Sequence, residues 1–281
     1  MNDPCEYVSL IVIVSVTFLI YDAILFYTYP EPKKLKMIDD KAQRKKLYYA
    51  HVASRSSIIH AVALIVGSII ILTELGIDYE RYNKNEENLL MCFSIGYFIS
   101  DTIIGFIARY NDYLMVFHHL LGIAGLSYSI ITQKYGSGVM CLFGIAEISN
   151  PFMLIRKDLE LYENTEFLSI VFGLSFAITF LICRTVVFGL CIIPLQTSNA
   201  SLVSKLICGL IWYISLYWCY MIINLLTKFL IETFHLKFLE GFYALLIKSR
   251  KSSAFILFLH INLVMICFMI PIYFWNHDHI T

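Results

Sequence analysis

Runs of apolar residues, 20 to 30 long, broken by short polar stretches, organise this chain. They cover 7–29, 51–76, 89–108, 113–132, 137–156, 166–195, 203–231 and 254–275. A helix of about 20 apolar residues crosses the hydrocarbon layer of a bilayer. None of the runs alternates apolar and polar positions as a barrel strand would. The pattern therefore predicts an all-α fold, a polytopic transmembrane helical bundle of about seven or eight spans. The breaks at 109–112 and 133–136 are so short that spans three to five must be antiparallel neighbours. The loop 77–88, with Asp78, Glu80, Arg81, Lys84, Glu86 and Glu87, reads as a solvated connector. The first run lacks the basic start of a cleaved signal peptide and is too long for one, so it reads as a retained signal-anchor. No period of tandem repeats is visible.

Composition agrees. Of 281 residues, 59% are hydrophobic and only 15% charged. A soluble domain needs roughly a quarter of its residues charged, so the solvent for this chain is lipid. The formal net charge of zero removes any whole-chain argument for a nucleic-acid partner. Where the charges sit matters more. One set of loops carries Lys33, Lys34, Lys36, Lys41, Arg44, Lys45, Lys46, Arg109, Arg156, Lys157, Lys237, Lys248, Arg250 and Lys251; the opposite set carries Arg81, Lys84 and Lys134. The bias puts the first set in the cytosol and both termini on the lumenal or exterior side. The basic 30–50 stretch chiefly sets this topology, although each lysine or arginine near anionic lipid heads contributes about 1 kcal/mol. The sequon Asn199-Ala200-Ser201 lies in a short loop too close to the bilayer for modification to be expected. Of eight cysteines only Cys5 falls outside an apolar run, and without a CxxC pair neither a disulfide framework nor a zinc site is indicated.

An ionisable side chain near mid-membrane costs roughly 2.5–3.5 kcal/mol, yet this chain holds several. They are Arg55 and His60 in the second span, Asp101 in the third, His118 and His119 in the fourth, Glu147 with Asn150 in the fifth, Arg184 in the sixth, and His260 with Asn262 in the eighth. At about 1.5 Å of rise per residue, His118, Asp101 and Glu147 lie on the order of 8–13 Å inside the cytosolic end. Pairing around a shared cavity would offset these costs, so one polar cavity opening to the cytosolic leaflet is expected. Arg55 reads equally as an interfacial anchor or a cavity ligand, and His260 as a packing residue. Adjacent histidines on a helix point about 100° apart, so no metal is expected on the pair.

The same residues carry a family resemblance. Ser54-Arg55 leading to His60, Gly96-Tyr97-Phe98-Ile99-Ser100-Asp101, Phe117-His118-His119-Leu120, Glu147-Ile148-Ser149-Asn150-Pro151-Phe152 followed by Arg156, and Leu181-Ile182-Cys183-Arg184 occur in that order. Together they resemble the TLC-domain family, which includes ceramide synthases and TRAM translocon accessory proteins. The likeness is greatest to the TLC domain-containing, TMEM-like branch. It implies an N-terminal signal-anchor span and basic loop over 1–44, a TLC domain over 45–235, and a cytosolic connector with a final span over 236–281. It further implies residence in the endoplasmic reticulum, with the plasma membrane as the alternative, and work on lipids. Where the synthases have His-Asp-x-x-Asp, this chain has Ala146-Glu147-Ile148-Ser149-Asn150; one carboxylate remains and the second is an amide.

Three functions follow. The first is a protein that handles acyl lipids, with Arg55, His60, Asp101, His118, His119, Glu147, Asn150 and Arg184 lining the cavity. It needs no cofactor, and its partners are membrane lipids. The second is an acyl-CoA-dependent N-acyltransferase acting on a sphingolipid-type amine, with His118, His119, Asp101 and Glu147 as the catalytic group. The third is a cargo or translocon-associated factor with protein partners and no dependence on the histidines.

Overall fold

In a computed structural model of the protein, residues 4–110, 112–234 and 243–244 are described. The eighth apolar run, with His260 and Asn262, lies outside them. The all-α expectation holds: seven stretches among the described residues are long and apolar enough to span a membrane. They are α1 (Pro4–Thr28), α3 (Lys41–Leu75), α4 (Asn85–Ala108), α5 (Tyr113–Thr132), the pair α6 (Gly136–Glu147) and α7 (Asn150–Leu159), the pair α8 (Glu166–Leu181) and α9 (Phe188–Thr197), and α10 (Leu202–Phe234). A single turn, α2 (Lys33–Lys36), sits between α1 and α3. Two compact units divide the chain, Met1–Phe176 and Ala177–Thr281.

In the first unit α4 lies against α1, α3 and α5, and α3 runs along α6 and α7. Small residues set these contacts. A Cβ on Gly96 would fall 2.6 Å from Val14 Cγ1 of α1, and one on Gly144 would fall 2.5 Å from the Ser68 side chain of α3. Beside the latter contact the Ser68 hydroxyl donates to the Met140 carbonyl at 2.8 Å. Close backbone approach and interhelical hydrogen bonds are what drive association where lipid already solvates apolar side chains. The helix ends are cut by local chemistry. Asp40 caps α3 by accepting from the Ala42 amide at 2.8 Å, and Asp112 caps α5 by accepting from the Met115 amide at 2.7 Å. Arg109 ends α4 in the left-handed region (φ 54°), with the Tyr110 amide returning to the Gly105 carbonyl at 3.2 Å.

Two expectations need correcting. The loop 77–88 is not a plain solvated connector. Glu87 and Asn88 are fully enclosed, Arg81 pairs with Glu87 at 2.5 Å, and Asn83 takes the Gly136 amide at 2.8 Å while donating to the Ser129 carbonyl at 3.0 Å. The α5–α6 connection is too short to satisfy its own backbone, and the loop supplies the missing partners. The fifth apolar run is not one helix either. It breaks at Ile148-Ser149, with Pro151 in the first turn of α7. Proline suits a helix start and has no amide for a helix interior, so it stands just past an interruption.

In the second unit a wide π turn, Ile182–Val187, joins α8 to α9, and α9 and α10 both pack on it. Gly189 lets the Trp212 ring approach, since a Cβ there would lie 2.9 Å from that ring.

Candidate functional site

The motif Tyr97-Phe98 in α4 gives each of two imidazoles a ring to lie on. His60 of α3 is stacked on Tyr97, with centroids 4.0 Å apart and planes at 11°. His119 of α5 is stacked on Phe98 at 5.1 Å and 26°. Consecutive residues on a helix point about 100° apart, so one dipeptide of α4 serves two neighbouring helices. The Nε2 of His60 reaches Ser94 Oγ at 3.3 Å, and the Tyr97 hydroxyl donates to Ser57 Oγ at 2.9 Å. Both histidines are buried.

One turn further along α4, Asp101 Oδ2 lies 3.4 Å from His119 Nδ1. Thr102 Oγ1 stands 3.4 Å from the same nitrogen. The Tyr110 hydroxyl, from the α4–α5 connection, donates to Asp101 Oδ1 at 3.2 Å. Burial, reinforced by the Asp101 charge, pushes the Tyr110 phenol far above its ordinary pKa, so it stays a neutral donor. Glu147, at the end of α6, is buried and accepts from Asn150 Nδ2 at 2.7 Å across the helix break. It lies within electrostatic reach of Tyr97. Asp22 of α1 completes the layer: 1% exposed, it accepts from Ser56 Oγ at 3.2 Å and lies within electrostatic reach of Asp101.

Six helices, α1 and α3 to α7, thus bring His60, Asp101, His119, Glu147, Asn150 and Asp22 into one aromatic-lined polar layer. Asp22 escaped the sequence reading, although the signal was there: it is an acid six residues inside the end of an apolar run. His118 is half-buried, its ring 6.0 Å from that of His119 and tilted 49° to it. The two neighbours diverge as helix geometry requires. Three buried oxygens of this end of the unit, Asp22 Oδ1, Ser100 Oγ and Ser149 Oγ, have no hydrogen-bond partner among the described residues.

Arg55 belongs elsewhere. Nearer the lysine-rich end, Asp158 of α7 pairs with the Arg55 guanidinium, accepts from Ser54 Oγ at 3.2 Å and meets His51 Nδ1 at 2.7 Å. Neither His51 nor Asp158 was singled out from sequence, because each stands near a span end where charge is ordinary. Arg184, in the second unit, is buried in the π turn with its guanidinium 5.2 Å over the Phe180 ring. Among the described residues no group of three or more His, Cys, Asp or Glu side chains is arranged to hold a metal ion.

Comparison with known proteins gives one family. The TLC domain model matches residues 50–280. TLC domain-containing protein 1 of Mus musculus is 29% identical over 111 residues, which is 35% of this chain and 43% of the relative. Its counterpart from Rattus norvegicus is 31% identical over 96 residues, 30% of this chain and 37% of the relative. The match thus spans less than half the length of either relative. No solved structure matches.

Proposed function

From the premise that this chain belongs to the TLC-domain family and is a multi-pass membrane protein, we propose that it binds acyl lipids in its polar layer and contributes to membrane lipid homeostasis in the endoplasmic reticulum. The observation that carries this reading is the convergence of His60 and His119 on the rings of Tyr97 and Phe98 and of Asp101 on His119, with Glu147 in electrostatic reach of Tyr97 and Asp22 of Asp101. Such groups in an apolar bundle are costly unless they face one another or a ligand. The orphaned oxygens at this level call for a donor, which a hydroxyl or amine on a lipid head supplies. Aliphatic tails suit the apolar faces of the surrounding helices.

The test is to purify the full chain in mild detergent and quantify co-purifying acyl lipids by mass spectrometry. Asp101→Asn and Glu147→Gln should each cut the bound lipid several-fold at unchanged yield of folded protein. Lipid content independent of both carboxylates would overturn the reading.

A second reading, acyl transfer from acyl-CoA to an amine, is favoured by the Asp101–His119 pair. A carboxylate that orients an imidazole is the arrangement a general base needs. Labelled acyl-CoA with candidate amine acceptors tests it; equal product from wild type and His119→Ala would exclude it.

A further inference from the structure

In the Asp158 cluster two buried nitrogens have no hydrogen-bond partner, His51 Nε2 and Arg55 Nε. Asp158 itself is fully used, by His51 Nδ1, Ser54 Oγ and the Arg55 guanidinium. A carboxylate can only accept, so it fixes the imidazole with Nδ1 as donor and leaves Nε2 turned to the far side. His51 and Arg55 stand four residues apart on α3, on one helix face. The Tyr29 ring lies against both, 5.4 Å from the His51 ring and 5.0 Å from the guanidinium carbon. Tyr162 completes the cover, its ring 6.2 Å from that of His51. Both tyrosines sit in connecting segments outside the helices.

What is missing is a donor for His51 Nε2, whose Nδ1 carries the ring's proton, and an acceptor oxygen for the Arg55 Nε–H. The surroundings favour an anionic one: Lys34 Nζ donates to the Glu160 carbonyl at 3.2 Å beside this corner, and Lys33 and Lys36 flank it on the same turn. The level also suits a lipid head, since α3 starts with ten residues, 41–50, before His51, at the end of the unit where α1 and α7 stop. We infer that His51 and Arg55, braced by Asp158, form a receptor for a phosphate oxygen at the membrane surface, separate from the acyl-lipid layer. A phosphate monoester completes both residues: one P–O⁻ oxygen accepts from Arg55 Nε–H and its P–OH donates to His51 Nε2. Arginine matched to phosphate with a histidine beside it is chemistry that neither the inner histidines nor Glu147 provides.

Binding is measured with the full chain in neutral detergent, using dihexanoyl phosphatidic acid, inorganic phosphate and dihexanoyl glycerol as probes. With dihexanoyl glycerol in excess to occupy the acyl-lipid layer, saturable binding of the phosphatidic acid is expected to persist. Loss of roughly tenfold or more in affinity should follow His51→Gln, which can still donate to Asp158, and Arg55→Lys, which keeps charge but has no Nε–H. Glu74→Gln, at an exposed residue at the opposite end of α3, should leave the affinity unchanged. Equal binding of inorganic phosphate would assign the receptor to soluble phosphate, and exclusive binding of the lipid to a headgroup. Should either variant fail to fold, the other decides, and the wild-type isotherm stands without them. Absence of binding by both phosphate probes, or binding indifferent to both variants, overturns the inference.

Discussion

His51 and Asp158 stand 107 residues apart in sequence and meet at 2.7 Å. The bond ties the start of the α3 span to the last turn of α7, and Arg55 doubles it from the next turn of α3. Removing Asp158 leaves a largely enclosed guanidinium without its counter-ion, a loss on the order of 3 kcal/mol for a buried pair broken on one side. Asp158→Asn should lower the thermal midpoint of the purified protein by several degrees, and Asp158→Glu by less. A midpoint unchanged in the asparagine variant would show that the pair carries no stability.

Gly96 makes the contact between α1 and α4 possible. A leucine there would collide with Val14, and overpacking of this kind costs about 1–3 kcal/mol. Gly96→Leu is expected to expose α1 to proteolysis, read by limited digestion and mass spectrometry. Adding Val14→Ala should restore part of the protection.

Asn83 is the pin of the loop 77–88. Its side chain serves Asn88 at 3.0 Å, the Ser129 carbonyl at 3.0 Å and the Gly136 amide at 2.8 Å. Asn83→Ala orphans buried groups on two other segments, so a loss of about 1–3 kcal/mol is expected. Asn83→Asp keeps the acceptor for Gly136 but sets a carboxylate oxygen against the Asn88 Oδ1 and the Ser129 carbonyl, so it should cost more than alanine. Thermal unfolding in detergent checks the order.

Asp78 gives that loop a pH dependence whose sign follows from its bonds. The amides of Glu80 and Arg81 hold its carboxyl below the ordinary value of 3.8. A depressed carboxyl contributes stability that is whole above the ordinary value and fades as pH falls through the folded one. Hydrogen exchange at the Glu80 and Arg81 amides, referenced to an unfolded peptide, should therefore stay protected through mildly acidic pH and quicken only below 3.8. In Asp78→Asn that acid step should be absent.

Much of this was legible from residue order. Apolar runs of membrane length give helices because an unpaired backbone cannot exist in lipid, and the runs matched seven spans among the described residues. Helical rise alone suggests one level for His60, Asp101, His118 and Glu147. What did not follow was partnership. Asp158 lies two residues beyond Arg156 and looks like an ordinary interfacial acid until α7 is set beside α3. The break after Glu147 was hidden because Pro151 is as compatible with a kinked helix as with a new one. Side chains such as Tyr97 and Phe98, which look like packing, acquire their role only when the helices carrying His60 and His119 are placed on either side.

The left-handed end of α4 has a practical corollary. Arg109 holds φ 54° with a full side chain exposed to its surroundings, where glycine would adopt the same shape without crowding its own carbonyl. Arg109→Gly, a change that touches none of the layer residues, is a ready route to a sturdier preparation, with a gain of roughly 1 kcal/mol after glycine's extra freedom when unfolded is subtracted. That Tyr110 follows directly and reaches Asp101 means the tight bend also aims the phenol. Crystallisers wishing to harden this protein should begin at that corner and check that the aim survives.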